Sequence, residues 1–271
     1  MEKIKIYSYL FIVFLLSSCE LSKEIDYETI YEGDKIVIHG FINTLDGVNL
    51  IVKKTVSPDN VTANDKLNEI NIVLYEDCKK VQSLIAINEY LYSTPTKFVP
   101  KLGSYYYIEA VSQGLPKVFS LPQPIFSPVE IDSLYLVIDN LTYYANLIVS
   151  FNNNPKLGAS YYLKVQYFHD GVIDSSRVGS EIFNPFGLID NTVNGLNTIE
   201  EQVGRISEFD SLRVELYTLS PDLTKFLQSF KKYDSSVEDP FFEQTYPVFT
   251  NIENGYGIFA SYSYTTRIIQ K

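Results

Sequence analysis

Only two histidines, His39 and His169, are available as general bases of the usual kind near neutral pH. His39 stands in Ile36-Val37-Ile38-His39-Gly40-Phe41, where a strand would leave it half exposed on a sheet. His169 precedes Asp170-Gly171, a hairpin-turn dipeptide. A Ser/His/Asp triad drawn from these residues lacks the Gly-x-Ser-x-Gly elbow that presents a nucleophilic serine. A paired-carboxylate glycosidase needs only two acids, but sugar platforms commonly use Trp, and the chain has none. No Gly-rich phosphate loop occurs. Asp59, Asn60, Asn64 and Asp65 offer oxygens to calcium, yet they miss the spacing of an EF-hand loop and read as solvated loop residues. Cys78 is followed by Lys79 and Lys80, so it reads either as a thiol activated by two ammonium groups or as an unpaired turn cysteine. No histidine lies near it in sequence to act as base, which favours the second reading. The expectation is a protein that is not an enzyme, with no catalytic residue, no cofactor and no metal. A surface hydrolase is the lesser alternative and would need a cleft with convergent acids or a histidine, His39 or His169.

Binding chemistry is better represented. The chain holds 22 Tyr and 17 Phe, some of them in runs: Tyr105-Tyr106-Tyr107, Tyr143-Tyr144, Tyr161-Tyr162 and Phe241-Phe242. On a strand alternate members face opposite sides, so one ring fills a core while its neighbour meets solvent. An exposed Tyr offers large contact area with few rotors. The candidate binding residues are Asn251, Asn254, Gly255, Tyr256 and Gly257, with a tight glycine turn as the alternative reading. Partners are bounded by charge. Lys plus Arg number 22 against 33 Asp plus Glu, a formal net charge of −11. Such a surface repels phosphates, so nucleic acid is excluded as a partner. Two His and two Cys also exclude a large zinc cluster or a multi-disulfide framework.

The elements that must position these residues begin after an address. Lys3 and Lys5 precede the apolar run Tyr7–Leu16, and Leu16-Ser17-Ser18-Cys19 follows. A basic start, a short apolar run and small residues at a cut site describe a signal peptide over residues 1–18. The run is shorter than the roughly 20 residues that a spanning helix needs. Leu-Ser-Ser-Cys resembles a bacterial lipobox, which would make Cys19 the lipidation site and residues 19–33 a polar tether. Acyl chains there would anchor the protein in a lipid bilayer at about 0.8 kcal/mol per buried methylene.

Beyond the tether, runs rich in β-branched and aromatic residues predict strands at 35–42, 48–56, 70–75, 84–92 and 105–111. Pro116, Pro122, Pro124 and Pro128 then stiffen a connection. Further strands are expected at 131–137, 145–151, 161–168, 212–219 and 260–269, and the long stretch between Gly171 and Asp210, which includes Asn184-Pro185-Phe186-Gly187, reads either as short strands or as an extended excursion. One helix is predicted near 221–233. Ser220 would cap it and Pro221 would start it, with Leu223, Phe226, Leu227 and Phe230 on one face. The fold expected is all-β: two immunoglobulin-like β-sandwich domains, 34–121 and 122–271, with the short helix docked on the C-terminal one.

Several of these features occur together in one known family. The lipobox, the 35–42 strand and the Pro-rich junction into Ile131-Asp132-Ser133-Leu134 come first. A helix then leads to Asp239-Pro240-Phe241, Asn251-Ile252-Glu253-Asn254-Gly255 and Gly257-Ile258-Phe259. Over nearly the whole mature chain this order resembles the Bacteroidetes lipoproteins grouped as domain of unknown function 4249. Tyr256 departs from the family, which more often has Leu there. The resemblance implies an outer-membrane lipoprotein, at the cell surface rather than in the periplasmic leaflet, accessory to a TonB-dependent transporter of the SusC type in nutrient capture or uptake. Glu20, Glu24, Asp26 and Glu28 resemble the surface-export signal of that lineage. Asp132-Ser133-Leu134 and Asp210-Ser211-Leu212 resemble its O-glycosylation sequon, with strand-start residues in turns as the other reading. The rival to the accessory role is a surface adhesin or assembly protein without a transporter. The ligand is left open.

Overall fold

A computed structural model describes residues 31–60, 64–67, 69–95, 98–153, 158–174, 188–189, 195–238 and 246–271. Cys19, residues 184–187 and Asp239-Pro240-Phe241-Phe242 lie outside the described residues. The chain divides at Glu32, and Gly33–Lys271 is a compact unit that holds every element below.

The described strands are β1 (Ile36–Asn43), β2 (Gly47–Lys54), β3 (Ile70–Glu76), β4 (Lys79–Ser83), β5 (Ile85–Ala86), β6 (Leu91–Ser93), β7 (Tyr105–Ser112), β8 (Val118–Ser120), β9 (Gln123–Pro124), β10 (Ile131–Ile138), β11 (Tyr144–Asn153), β12 (Ser160–His169), β13 (Val172–Ile173), β14 (Leu188–Ile189), β15 (Gly195–Arg205), β16 (Ser211–Leu219), β17 (Ile252–Glu253) and β18 (Tyr256–Gln270). Helix α1 spans Pro221–Glu238, between β16 and β17. The described residues are mostly β, with three sheets in a sandwich-like arrangement. A long sheet runs β13-β12-β16-β18-β1-β2-β6-β5, with β14 also on β12. A second runs β17-β8-β7-β3-β4, with β9 on β7, and a third is β10-β11-β15.

Side-chain alternation shows how the sheets stack. In β1, Ile36, Ile38 and Ile42 join a core with Ile72, Leu74, Tyr106 and Ile108 of the second sheet. In β16, Val214 and Leu216 join a different core with Leu147, Val149 and Phe151 of the third. The odd-numbered neighbours Phe41, Tyr217 and Leu219 belong to a further cluster with Leu223 and Leu227 of α1. Successive residues on a strand point to opposite faces. Both smaller sheets therefore cover one face of the long sheet, and α1 lies on the other.

Strand β18 links the two cores. It pairs with β16 antiparallel and with β1 in parallel, from Val37 opposite Tyr256 to Asn43 opposite Tyr262. The Pro-rich connection is held against this shared sheet. Ser261 Oγ donates to the Pro124 carbonyl. Val129 N–H donates to Thr218 Oγ1 at 3.2 Å, and Thr265 Oγ1 donates to the Val129 carbonyl at 2.8 Å. Hydroxyls on three strand positions thus satisfy a segment whose prolines lack donors.

Several elements differ from expectation: β4 and the 11-residue β15 lie outside the expected strands, and two others change in form. Residues 84–92 form a hairpin, not a single strand. Asn88 Oδ1 accepts from Tyr90 N–H at 3.0 Å and Leu91 N–H at 2.8 Å, an Asx turn that reverses the chain between β5 and β6. Helix α1 continues past Lys232 to Glu238, because no breaker occurs before Pro240, which disfavours helical geometry at the residue preceding it. Its start is as read: Ser220 Oγ accepts from Leu223 N–H at 3.5 Å.

Cys78 is exposed in the two-residue turn between β3 and β4, with Asp77 at φ 45° and Cys78 at φ 67°. Two successive positive φ values make a type I′ turn, which favours Asp-Gly. Replacing Cys78 with glycine removes a left-handed non-glycine residue. Stability should rise by about 0.5–1 kcal/mol in urea unfolding.

Candidate functional site

The residues singled out near the C-terminus form a structural lock. Asn251 is buried, at 3% exposure. Its Nδ2 donates to the Phe259 carbonyl at 2.8 Å and to Asp222 Oδ2 at 3.1 Å, while its Oδ1 accepts from Phe259 N–H at 2.9 Å. Its backbone N–H donates to the Gly257 carbonyl at 3.2 Å, and its carbonyl accepts from Leu121 N–H at 3.0 Å. Asp222 Oδ2 also accepts from Gln123 Nε2 at 2.8 Å, and Oδ1 meets Lys225 Nζ at 3.1 Å. Burial pushes the Asp222 carboxyl up, but the Asn251 and Gln123 amides and the Lys225 ammonium outweigh it and hold the carboxyl below its ordinary value. The first turn of α1 is thereby tied to the strap before β10 and to the loop before β17. Gly257, at φ +108°, sits opposite Ile38, where a Cβ would overlap the Ile38 carbonyl oxygen. Gly255 faces the Ile36 carbonyl in the same way. Asn254 and Tyr256 are the exposed members. Asn254 Nδ2 reaches the Lys117 carbonyl at 3.2 Å, and Lys35 Nζ meets the Tyr256 hydroxyl at 3.3 Å and lies 5.1 Å over its ring.

The histidines stand apart on different strands. His39 is exposed on the α1 side of β1, with the Phe226 ring packed edge-on at 6.1 Å between centroids. Crowding and the Lys53 ammonium both lower its pKa. His169, at the end of β12, has Asp170 and Asp210 carboxylate oxygens at 3.9 Å, beyond hydrogen-bond reach. Asp65 is paired with Lys53 at 2.9 Å and accepts the Tyr90 hydroxyl at 2.9 Å, and Asn64 closes a local turn onto Lys66 N–H. Among the described residues, no group of three His, Cys, Asp or Glu is placed to hold a metal.

Alternation sorts the aromatic runs. Tyr106 is fully buried while Tyr105 is exposed, and Tyr107 stacks on Tyr75 at 4.8 Å. Tyr161 and Tyr162 fill cores on opposite faces of β12. Beside α1, Tyr217 stacks on Tyr264 at 4.8 Å, touches Tyr162 and Tyr262, and donates its hydroxyl to buried Glu215 at 2.7 Å. Burial, then Glu215, pushes the Tyr217 hydroxyl up, so it remains a donor.

Tyr143-Tyr144 is the one run among the described residues with both rings exposed. It closes the turn between β10 and β11. Leu141 is 90% exposed and Tyr143 62%. Asp139 Oδ1 accepts from Leu141 N–H at 2.7 Å, and Tyr143 N–H donates to the Asp139 carbonyl at 2.8 Å. Tyr143 stands at φ +59°, and its carbonyl accepts from Ile206 N–H at 3.0 Å. The Arg205 guanidinium lies 5.4 Å over the Tyr144 ring. Leu141, Tyr143, Tyr144, Arg205 and Ser207 line a cleft of about 590 Å³. The sequence displayed the Tyr pair but not its junction with Arg205, which comes from the far end of β15.

A family model described as Domain of unknown function (DUF4249) matches residues 22–268. No curated protein matches the chain.

Proposed function

Because the chain belongs to the DUF4249 family, we propose that it is a lipid-anchored outer-membrane protein, exposed at the cell surface, that assists a TonB-dependent transporter of the SusC type in nutrient capture or uptake. The observation that carries this reading is Leu16-Ser17-Ser18-Cys19, placed after a short apolar run and a short polar stretch ahead of the first strand. Acylation at Cys19 would hold the compact β unit beside a membrane. A tethered protein works at high local concentration, so modest affinity for a neighbouring transporter suffices. The role is binding, not catalysis. A second reading, an adhesin or assembly protein without a transporter, is favoured by the exposed apolar groups at the β10–β11 turn.

One measurement tests the anchor and a second separates these readings. Palmitate labelling should mark the wild-type protein and disappear in Cys19→Ser, with the variant leaving the membrane fraction. Labelling that persists in the variant would remove the anchor from the proposal. A C-terminally tagged chain, purified from native outer membranes in mild detergent, should co-purify with a stoichiometric TonB-dependent barrel identified by mass spectrometry. Absence of the barrel, under conditions that preserve known transporter complexes, would overturn the accessory role and put the adhesin reading first.

A further inference from the structure

We infer that β1 and β18 form a mechanical clamp, a pair of parallel strands through which the compact unit bears tension between its N-terminal connection and Lys271. The clamp goes beyond the proposed function and rests on it only for the source of the load, which an anchor at Cys19 would supply. Chain order sets the geometry. β1 is the first described strand and β18 the last, and they are hydrogen-bonded neighbours that run the same way, from Val37 opposite Tyr256 to Asn43 opposite Tyr262. A pull on the chain ahead of β1 acts back along that strand, and a pull at Lys271 acts forward along β18. The strands are then drawn lengthwise past each other, and the ladder bonds between them stretch together. An antiparallel pair would hold both loaded ends side by side and open one bond at a time. The other edge of β1 is sheared as well, because β2 pairs with it from Ile36 opposite Lys54 to Asn43 opposite Gly47.

The surroundings of the ladder oppose sliding. Ile36, Ile38 and Ile42 are fully buried in the core shared with the second sheet. On the opposite face, Phe41, Ile258 and Ala260 lie in the cluster with Leu223 and Leu227 of α1. A slip of one residue would turn every side chain to the wrong face, and close packing leaves no room for a partial slip. Burial on both faces also keeps water from replacing a bond as it stretches.

Both ends of β1 are fastened. At the entry, Lys54 Nζ pairs with Asp34 at 2.6 Å. Lys35 N–H donates to Thr55 Oγ1 at 2.9 Å, and Thr55 N–H donates to the Lys35 carbonyl at 2.9 Å. At the far end, buried Asn43 donates from Nδ2 across the ladder to the Tyr262 hydroxyl at 3.0 Å. Its Oδ1 accepts from Leu45 N–H at 2.9 Å and Asp46 N–H at 2.8 Å, which closes the turn into β2. Past Tyr262, β18 continues beside β16 until Gln270 stands opposite Ser211. A load that enters through β1 is therefore passed to the one strand that serves both cores.

The test pulls single molecules of the full, purified chain by handles attached to azide amino acids. Handles at Glu32 and Lys271 load the ladder in shear. Handles at Glu32 and the exposed Glu253 both sit at the Val37–Tyr256 end and peel the strands apart from the entry. The fold and its equilibrium stability are the same in both geometries, so the comparison reads only the barrier along each direction. Rupture in shear should need roughly three times the force of peeling, because forced unfolding follows the unfolding barrier and not the equilibrium stability. Tyr262→Phe removes the hydroxyl that Asn43 reaches. It should lower the shear force and leave the peeling force unchanged, since peeling begins at Val37. A general loss of stability would lower both. Forces within about 1.5-fold of each other in the two geometries would overturn the clamp. An equal fall of both forces in Tyr262→Phe would overturn the fastening at Asn43. The measurement needs neither acylation nor a transporter, so failure of the anchored reading would leave the clamp standing, and failure of the clamp would leave the anchor untouched.

Discussion

Substituting alanine for Gly257 is expected to remove about 3–5 kcal/mol of folding stability, enough to consume much of the 5–15 kcal/mol typical of a folded protein. Two effects add. At φ +108° an L side chain is strained whatever the space around it. The new Cβ would also overlap the backbone carbonyl of Ile38, and backbone cannot swing aside as a side-chain tip can. The clash falls in the parallel ladder of β1 with β18, the connection through which strands of both cores share one sheet. Urea unfolding at neutral pH would measure the loss. A change below 1 kcal/mol would mean that the two strands separate without cost and that the shared sheet is weaker than its register implies. Alanine at Gly114, which also has positive φ but open space around it, isolates the strain alone and should cost about 1 kcal/mol.

The second large effect is expected from Asn251→Ala, at about 3–4 kcal/mol. The truncation leaves Phe259 N–H, the Phe259 carbonyl and one Asp222 oxygen short of a partner in a buried place, and each unsatisfied group costs about 1–3 kcal/mol before relaxation. The same network predicts a pH dependence. The Asp222 carboxyl is held below its ordinary value of 3.8 in the folded protein. A depressed folded value means that the unfolded chain binds the proton more readily. The stabilisation is therefore fully present above the unfolded value and is lost as pH falls through the folded one. Stability should fall below about pH 4, and Asp222→Asn should flatten part of that fall while lowering stability at pH 7. An unchanged acid slope in Asp222→Asn would show that other carboxylates control the acid limb.

Each of these residues was visible in the sequence, but its neighbours were not. Asn251 and Gly257 stood out as a motif, and contact with a partner was as reasonable a reading as a structural turn. The structure adds Asp222 and Gln123, which lie far from Asn251 in the chain and meet it only when α1 docks. The β10–β11 turn repeats the pattern. Asp139 and the Tyr pair belong to one local segment, whereas Arg205 arrives from the end of β15 because β11 and β15 pair from Tyr144 to Arg205.

Strand content and the start of α1 were legible from the sequence alone, because alternation and capping act over a few residues and need no distant partner. The signal-like N-terminus was legible for the same reason. The sequence likewise set the acidic charge that argues against nucleic acid. Only the tertiary structure decided that β18 lies beside β1 in parallel, so that two cores sit under one sheet. Parallel pairing joins strands distant in the chain and leaves no turn signal between them. It also decided which tyrosines meet solvent. A run such as Tyr161-Tyr162 or Tyr143-Tyr144 looks the same in one dimension, and what packs against each face of the strand determines whether a ring becomes core or contact.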